Sequence, residues 1–135
     1  MRGISLLLIG ATIASCTTTV GPPTRSAQGQ QEFDRLVAGK VAGPPQSCLA
    51  TFNTNDMVVI DDETVAFRQG ANRVYVNHLQ SGCNGIASGF NALVTRQSGA
   101  SSLCRGDIAE SRNLTSHLTT GSCVFGDFIP YTRRG

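Results

Sequence analysis

Tryptophan is absent from this 135-residue chain, and the other aromatic residues are only two tyrosines and six phenylalanines. A buried core must therefore be built mainly from Val, Ile, Leu and Phe, and a chain of this length predicts one domain with a modest core. Charge of one sign is also scarce, because the net charge is +2 and no basic stripe runs along the chain. We therefore expect no nucleic-acid partner.

Motifs that carry catalysis or bind metals are missing as well. The chain has no G-x-S-x-G, S-x-x-K, H-E-x-x-H or C-x-x-C pattern, and its histidines are His78 and His117. Neither histidine stands at ligand spacing from a cysteine. We predict no catalytic residue, no cofactor and no metal ion.

The amino terminus has the pattern of a bacterial signal peptide. Arg2 gives a positive start, and residues 4–13 form an apolar run that is too short for a permanent membrane helix. The sequence Ile13-Ala14-Ser15-Cys16 that follows resembles a lipobox. In lipoproteins with that signal, cleavage leaves the cysteine as the lipid-bearing first residue, and two or three acyl chains anchor it stably. The alternative is a secreted protein in which Cys16 is incidental.

This resemblance implies three segments of the chain and a cellular location. We predict a lipoprotein signal peptide over 1–15, a lipidated flexible tether over 16–31 and a β-rich domain over 32–135. Residue 17 is Thr rather than Asp, which in lipoproteins of Gram-negative bacteria implies export to the outer membrane, facing the periplasm. The predicted partners are the membrane, through Cys16, and an envelope protein.

Four further cysteines fall within the predicted domain. They are Cys48, Cys83, Cys104 and Cys123. An even number in an exported chain predicts two disulfides, although the sequence leaves all three pairings open. A zinc site is the alternative, which the spacing disfavours.

The hydrophobic pattern predicts a short helix followed by strands. Phe33, Leu36 and Val37 share one helical face, so we expect a helix over 31–38 that stops at Gly39. Strict alternation then predicts a β-hairpin over 64–79, with a glycine-containing loop at 69–72.

The second half predicts more strands and one exposed loop. We expect a turn at 105–107, a loop at 111–120 rich in Ser, Thr and Asn, and strands over 90–95, 104–110 and 122–129, the last ended by Pro130. The fold class is therefore mainly β: a small meander or half-open barrel stapled by two disulfides, with a short N-terminal helix.

Two short motifs have both a structural and a functional interpretation. Residues 61–63 are three consecutive acids, for which a solvated turn is favoured over a calcium site. Arg105-Gly106-Asp107 spells an integrin-binding tripeptide, but we favour a turn in which Gly106 takes an unusual backbone conformation and Asp107 binds nearby amides.

The hairpin also supplies the candidate binding residues. Tyr75 and Asn77 share one face of the second strand, and His78 ends it. This face could be a binding surface or simply the solvated side of the sheet.

The domain resembles a group of small exported proteobacterial lipoproteins that carry a four-cysteine domain of unknown function. The resemblance covers roughly residues 46–130. It lies in the order of Cys48, Asp61-Asp62, Val65-Ala66-Phe67, Tyr75-Val76-Asn77-His78-Leu79, Cys83-Asn84-Gly85-Ile86, Leu103-Cys104-Arg105-Gly106-Asp107-Ile108, and Cys123 with Gly126, Phe128 and Pro130. It implies a disulfide framework and no particular mechanism.

These observations together predict a non-enzymatic envelope lipoprotein whose domain is an interaction or structural module. The first alternative is a domain that binds a small ligand or inhibits a hydrolase. The second is an enzyme with an unrecognised site. A binding module should expose an apolar or aromatic patch, whereas an enzyme should contain a cleft with a shifted titratable group.

Overall fold

The structure is a computed structural model that describes residues 25–97, 99 and 101–135. The predicted signal peptide, Cys16 and most of the predicted tether lie outside these residues. No helix among the described residues is long and apolar enough to cross a membrane.

The helix α1 spans Ala27–Val37 and so begins four residues before its predicted start. Ser26 caps it, because the Ser26 hydroxyl accepts a hydrogen bond from the Gly29 amide at 3.0 Å. Residues 27–31 are therefore helical, and the prediction of a flexible tether up to residue 31 is wrong at this end. Apolar periodicity did not reveal this turn because the residues before Phe33 are small or polar.

Five antiparallel strands form the main sheet: Lys40–Ala42 (β1), Met57–Asp61 (β3), Thr64–Gln69 (β4), Arg73–His78 (β5) and Phe128–Arg133 (β10). Their order across the sheet is β1-β10-β5-β4-β3. The predicted hairpin is confirmed, with β4 and β5 paired from Thr64↔His78 to Gln69↔Arg73. Together with β3 these two strands form a meander.

Two smaller open sheets cover one side of the main sheet. One pairs β2 (Cys48–Ala50) with β7 (Ser102–Cys104). The other has the order β6-β8-β9. Its strands are Asn91–Arg96 (β6), Ile108–Asn113 (β8) and Thr119–Val124 (β9). Single 3-10 turns lie at Thr51–Asn53 and Ile86–Ser88. The fold is thus mainly β with one short helix and two disulfides, as predicted.

Both faces of the main sheet are buried. On one face, Ala66, Val74 and Val76 pack with Leu36 of α1 and with Ile60. On the other, a larger cluster joins the main sheet to the smaller sheets: Leu49, Val65, Phe67, Tyr75, Leu79, Cys83, Ile86, Leu103, Ala109, Cys123, Phe125 and Phe128. The meander is therefore the middle layer of the domain, and its alternating pattern does not mark a solvated face.

The second half departs from the prediction at several points. β8 extends to Asn113 and β9 starts at Thr119, so the predicted loop over 111–120 shrinks to 114–118. β8 begins only at Ile108, because residues 105–107 form the predicted turn between β7 and β8. The predicted strand over 122–129 is two strands, with a break at residues 125–127.

Pro130 lies inside β10 and does not end it. Its carbonyl accepts from the Gly43 amide at 2.7 Å, beyond the end of the short strand β1. The N and the carbonyl of one strand residue point to the same side. The nitrogen of Pro130, which carries no hydrogen, therefore points toward the β1 side of β10, at a level where β1 has already ended. The hydrogen bonds between β10 and β5 are on the other side and none of them is lost.

Candidate binding site

The three predicted binding residues do not form one exposed surface. Tyr75 is 6% exposed and Asn77 is 0% exposed, whereas His78 is exposed. The prediction of a binding surface at Tyr75 and Asn77 is wrong, because the smaller sheets cover their face of the hairpin. The Tyr75 hydroxyl donates to the Gln69 side chain at 3.3 Å.

Asn77 instead holds the break between β9 and β10. Its side-chain oxygen accepts from the Gly126 amide at 3.0 Å, and its nitrogen donates to the Gly126 carbonyl at 2.8 Å. A Cβ on Gly126 would lie 2.6 Å from the His78 carbonyl oxygen. Position 77 therefore needs a side chain that both donates and accepts hydrogen bonds, as a backbone amide does. Position 126 needs a glycine.

His78 sits where the hairpin meets the start of α1. Its Nδ1 lies 3.5 Å from the Thr64 hydroxyl. Although the residue as a whole is exposed, partial burial of the ring lowers its pKa below the usual value, and the nearby Arg25 cation lowers the pKa further, against an opposing effect of Asp61. These contacts favour the neutral imidazole.

Of the acidic residues 61–63, Asp61 ends β3 and the other two form the predicted turn to β4; Asp61 and Asp62 have structural partners. Asp61 pairs with Arg25 at 2.8 Å. The Asp62 carboxylate accepts from the Gly85 and Ala87 amides at 3.0 and 2.9 Å. Among the described residues no group of three or more His, Cys, Asp and Glu side chains could hold a metal ion. Asp62 thus fixes the segment around residues 85–87 against the main sheet.

The Arg105-Gly106-Asp107 tripeptide is a turn, as predicted. Gly106 has a φ of 92°, a conformation that favours glycine. The Asp107 carboxylate accepts from the Cys104 amide at 2.8 Å, and Arg105 pairs with Asp127 at 3.2 Å. The turn connects β7 to β8 and places Ile108 at the start of the next strand.

The four domain cysteines form two disulfides, Cys48–Cys104 and Cys83–Cys123. The first bridges directly paired residues of β2 and β7. The second is buried in the larger core and ties the segment after β5 to β9. Only the tertiary structure could select this pairing among the three alternatives.

Three large apolar side chains stand exposed at one end of the β6-β8-β9 sheet. They are Phe90 at 73%, Leu114 at 58% and Leu118 at 68% exposure, and we call them the apolar tip. Their backbones adjoin, because the Leu114 amide donates to the Phe90 carbonyl and the Asn113 amide donates to the Leu118 carbonyl, both at 2.9 Å. Residues distant in sequence thus place three exposed apolar side chains at the same end of this sheet.

Local hydrogen bonds hold both halves of the apolar tip. In the β8–β9 loop, the Asn113 side-chain oxygen accepts from the Thr115 and Ser116 amides, each at 2.9 Å. This is the turn chemistry that asparagine provides. Before Phe90, Ile86 is buried in the core, and the Asn91 side chain donates to the Gly85 carbonyl at 3.0 Å. The tip is therefore presented from an ordered base.

Sequence reasoning missed this surface. It identified an exposed polar loop over 111–120 but did not single out the two leucines within it. Leu114 and Leu118 are conspicuous there because every neighbour from 111 to 122 is polar, charged or glycine. Their pairing with Phe90 needed the β6–β8 register.

An open cleft of about 460 Å³ lies beside the apolar tip. It is lined on one side by the first turns of α1, including Ser26, Gln28 and Glu32, and on the other by Gly89 and Asn91, the two neighbours of Phe90. The start of the described chain and the tip are therefore at the same end of the domain.

Comparison with known proteins adds no relative. No protein family, curated protein or solved structure matches this chain. The resemblance to the four-cysteine domain stays a prediction, and any function must be argued from the site itself.

Proposed function

We propose that this protein is an envelope lipoprotein, anchored through Cys16 in the outer membrane and facing the periplasm, whose domain works by binding rather than by catalysis. The observation that carries the proposal is the apolar tip, Phe90, Leu114 and Leu118, held exposed on an ordered base. Large exposed apolar groups that cluster on a small domain are typical of interaction sites.

The energetics support a binding role for the apolar tip. Fully burying one such side chain contributes about 1.5–3 kcal/mol. The fold leaves three of them in water while it buries both faces of its main sheet. Binding of a partner that covers all three would therefore be favoured by several times the thermal energy. Because hydrogen bonds already order the loop, little conformational entropy would be lost there on binding.

The sequence supports the anchor and the compartment. The apolar run at 4–13 leads directly to the lipobox that ends in Cys16. Two disulfides are what an oxidising compartment such as the periplasm permits. These features fit an exported, lipidated chain.

A second candidate function is binding of a small ligand or of a hydrolase, and the cleft between α1 and residues 86–91 favours it. The cleft combines polar groups, such as Ser26 and Glu32, with the apolar side chains of Val59 and Ile86. Such a mixture suits recognition of a small molecule. The cleft and the apolar tip are formed by different residues, so a probe placed at each one can distinguish the two candidate functions.

The anchor is tested by the mass and fractionation of the mature protein. Wild-type chain should be cut before Cys16, carry acyl chains and fractionate with the outer membrane. Cys16→Ala should remain unprocessed and unlipidated. A mature wild-type chain without lipid, or lipidation that persists in Cys16→Ala, would overturn the anchor.

The binding role is tested by site-specific photocrosslinking in intact envelopes. A photoreactive amino acid is placed at Leu118 in the tip, at Gln28 in the cleft or, as control, at Val41 in β1, which is exposed at the opposite edge of the main sheet. Protein or lipid adducts enriched at Leu118 over Val41 would support the proposal. Enrichment at Gln28 alone would support the second candidate, and equal yields at all three would overturn both.

A further inference from the structure

We infer that the partner of the apolar tip is the membrane itself: Phe90, Leu114 and Leu118 insert into the lipid surface that holds Cys16. The inference rests on the proposed lipid anchor and names the partner of the same site. The anchor and the tip would then fix the domain on the bilayer at two places.

The chain between the anchor and the domain sets the geometry. Arg25 follows Cys16 by nine residues, which span at most about 30 Å when fully extended. Arg25 is held on the domain by its pair with Asp61 at 2.8 Å and by its position 4.5 Å above the Phe33 ring. The point where the chain enters the domain must therefore stay within about 30 Å of the lipid surface.

The apolar tip lies at this same end. Ser26 lines the cleft together with Gly89 and Asn91, which flank Phe90. Val41, another exposed apolar residue, lies in β1, across the main sheet from β3, which contacts α1 and the Ile86–Ser88 turn. The tip therefore lies nearer to the start of the described chain than the β1 edge does.

The backbone amides of the loop in the tip are hydrogen-bonded within the domain, as a poorly hydrated environment requires. Each amide from 113 to 118 has an acceptor within the domain: Leu118 O, Phe90 O, Asn113 Oδ1 twice, Asn113 O and, at 3.5 Å, Ser116 Oγ. Unpaired amides would make insertion costly, since lipid offers no replacement for water. This loop carries its leucines without that cost.

The charge around the tip suits a lipid surface. The two segments that build it, 84–91 and 111–122, contain no Asp or Glu, and their charged or titratable residues are Arg112 and His117. Carboxylates would oppose both desolvation and anionic headgroups. Phenylalanine and leucine are side chains that surface-bound proteins place at the boundary between headgroups and acyl chains.

The absence of tryptophan makes the test direct. The full lipidated protein, reconstituted in vesicles, receives one indole at a time through Phe90→Trp, Leu114→Trp or Leu118→Trp, with Val41→Trp as the matched exposed control. Vesicles contain lipids brominated along the acyl chains, which quench an indole that reaches them. The lipidated mass of each variant is verified first, so that failure of the anchor is recognised separately.

We expect the three tip variants to show blue-shifted emission and marked loss of intensity on brominated vesicles, and Val41→Trp to show neither. Adding Phe90→Asp to Leu118→Trp should restore most of the intensity, whereas adding Val41→Asp should not. Lipidated tip variants that emit as in water would overturn insertion while leaving the anchor intact. A blue shift without quenching that grows with protein density would show that a second copy covers the tip, which also overturns it.

Discussion

At the scale of single residues, the domain depends on polar side chains that replace backbone partners. Asn77 is fully buried and occupies both the amide and the carbonyl of Gly126. Asp62 does the same for the amides of Gly85 and Ala87. Asn77 thus connects the main sheet to the break between β9 and β10, and Asp62 connects it to the segment that precedes Phe90.

Asn77→Leu should destabilise the domain strongly. The change keeps the branched shape of the side chain but leaves the buried Gly126 amide and carbonyl unpaired, at about 1–3 kcal/mol for each group. The free energy of unfolding from urea denaturation measures the loss. Asn72→Ala, in the exposed hairpin turn, is the control and should stay within about 0.5 kcal/mol of wild type. Equal effects of the two changes would contradict the structural role of Asn77.

His78 should make stability depend on pH. Its pKa in the folded protein is lowered, first by burial and then by Arg25, from about 6.5 in an unfolded chain. As the pH falls below about 6.5, the unfolded chain binds the proton first, so the free energy of unfolding should decrease.

The decrease should be smaller in His78→Gln, as measured by denaturation midpoints between neutral and acidic pH. Asn72→Ala, in the exposed hairpin turn, removes no titrating group and is the control that should keep the wild-type profile. A His78→Gln profile that matches wild type would show that this imidazole is not responsible.

At the scale of elements, α1 and the main sheet pack so closely that one helix position requires glycine, the residue that otherwise disfavours a helix. Gly29 is buried in α1, and a Cβ there would lie 2.7 Å from the Ile60 carbonyl oxygen of β3. Its absence of a side chain lets Leu36, Phe33 and Val37 reach the main sheet. The helix is therefore positioned by contact with β3 rather than by its own propensity.

Gly29→Ala should consequently destabilise α1, although alanine is favoured over glycine in an isolated helix by about 1 kcal/mol. Forcing the helix away from β3 is expected to cost about 1–3 kcal/mol. Amide hydrogen exchange across α1 and urea denaturation report the change. Gln31→Ala, exposed on the same helix, should be nearly neutral. Stabilisation by Gly29→Ala would show that α1 is not held against Ile60.

At the scale of the whole molecule, two disulfides join parts of the chain that are far apart in sequence. Cys48–Cys104 and Cys83–Cys123 enclose separations of 56 and 40 residues. In the chain-entropy account each restricts the unfolded state by about 4 kcal/mol. This stabilisation is large for a domain with a modest core.

The two disulfides should differ in their reactivity toward a mild reductant. Cys48 is exposed, whereas Cys83 and Cys123 are buried in the larger core, and a thiolate must reach a sulfur to attack it. Stepwise reduction followed by alkylation and mass analysis should therefore find Cys48 and Cys104 free first. Appearance of free Cys83 at the same rate would indicate that the core opens as readily as the surface.

Features set by residues close together in the chain could be predicted from the sequence, whereas features set by contacts between distant residues could not. The hairpin was predictable because alternation of side chains and a glycine loop are set within sixteen residues. The first turn of α1 was not, since its Gly29 contact is with a strand thirty residues later. Tyr75 and Asn77 were misplaced for a related reason: a strand pattern reveals two faces but not which neighbour will cover each.

The sequence by itself determined the β-rich class, the short helix, the even set of cysteines and the Arg105-Gly106-Asp107 turn, because composition, spacing and local backbone preference are sufficient for these. Only the tertiary structure decided the disulfide pairing, the burial of both hairpin faces and the position of Pro130 within β10. It also decided the apolar tip, because backbone pairing brings Leu114 against Phe90 and Leu118 against Asn113, and the first of these joins residues twenty-four positions apart, which no local pattern specifies.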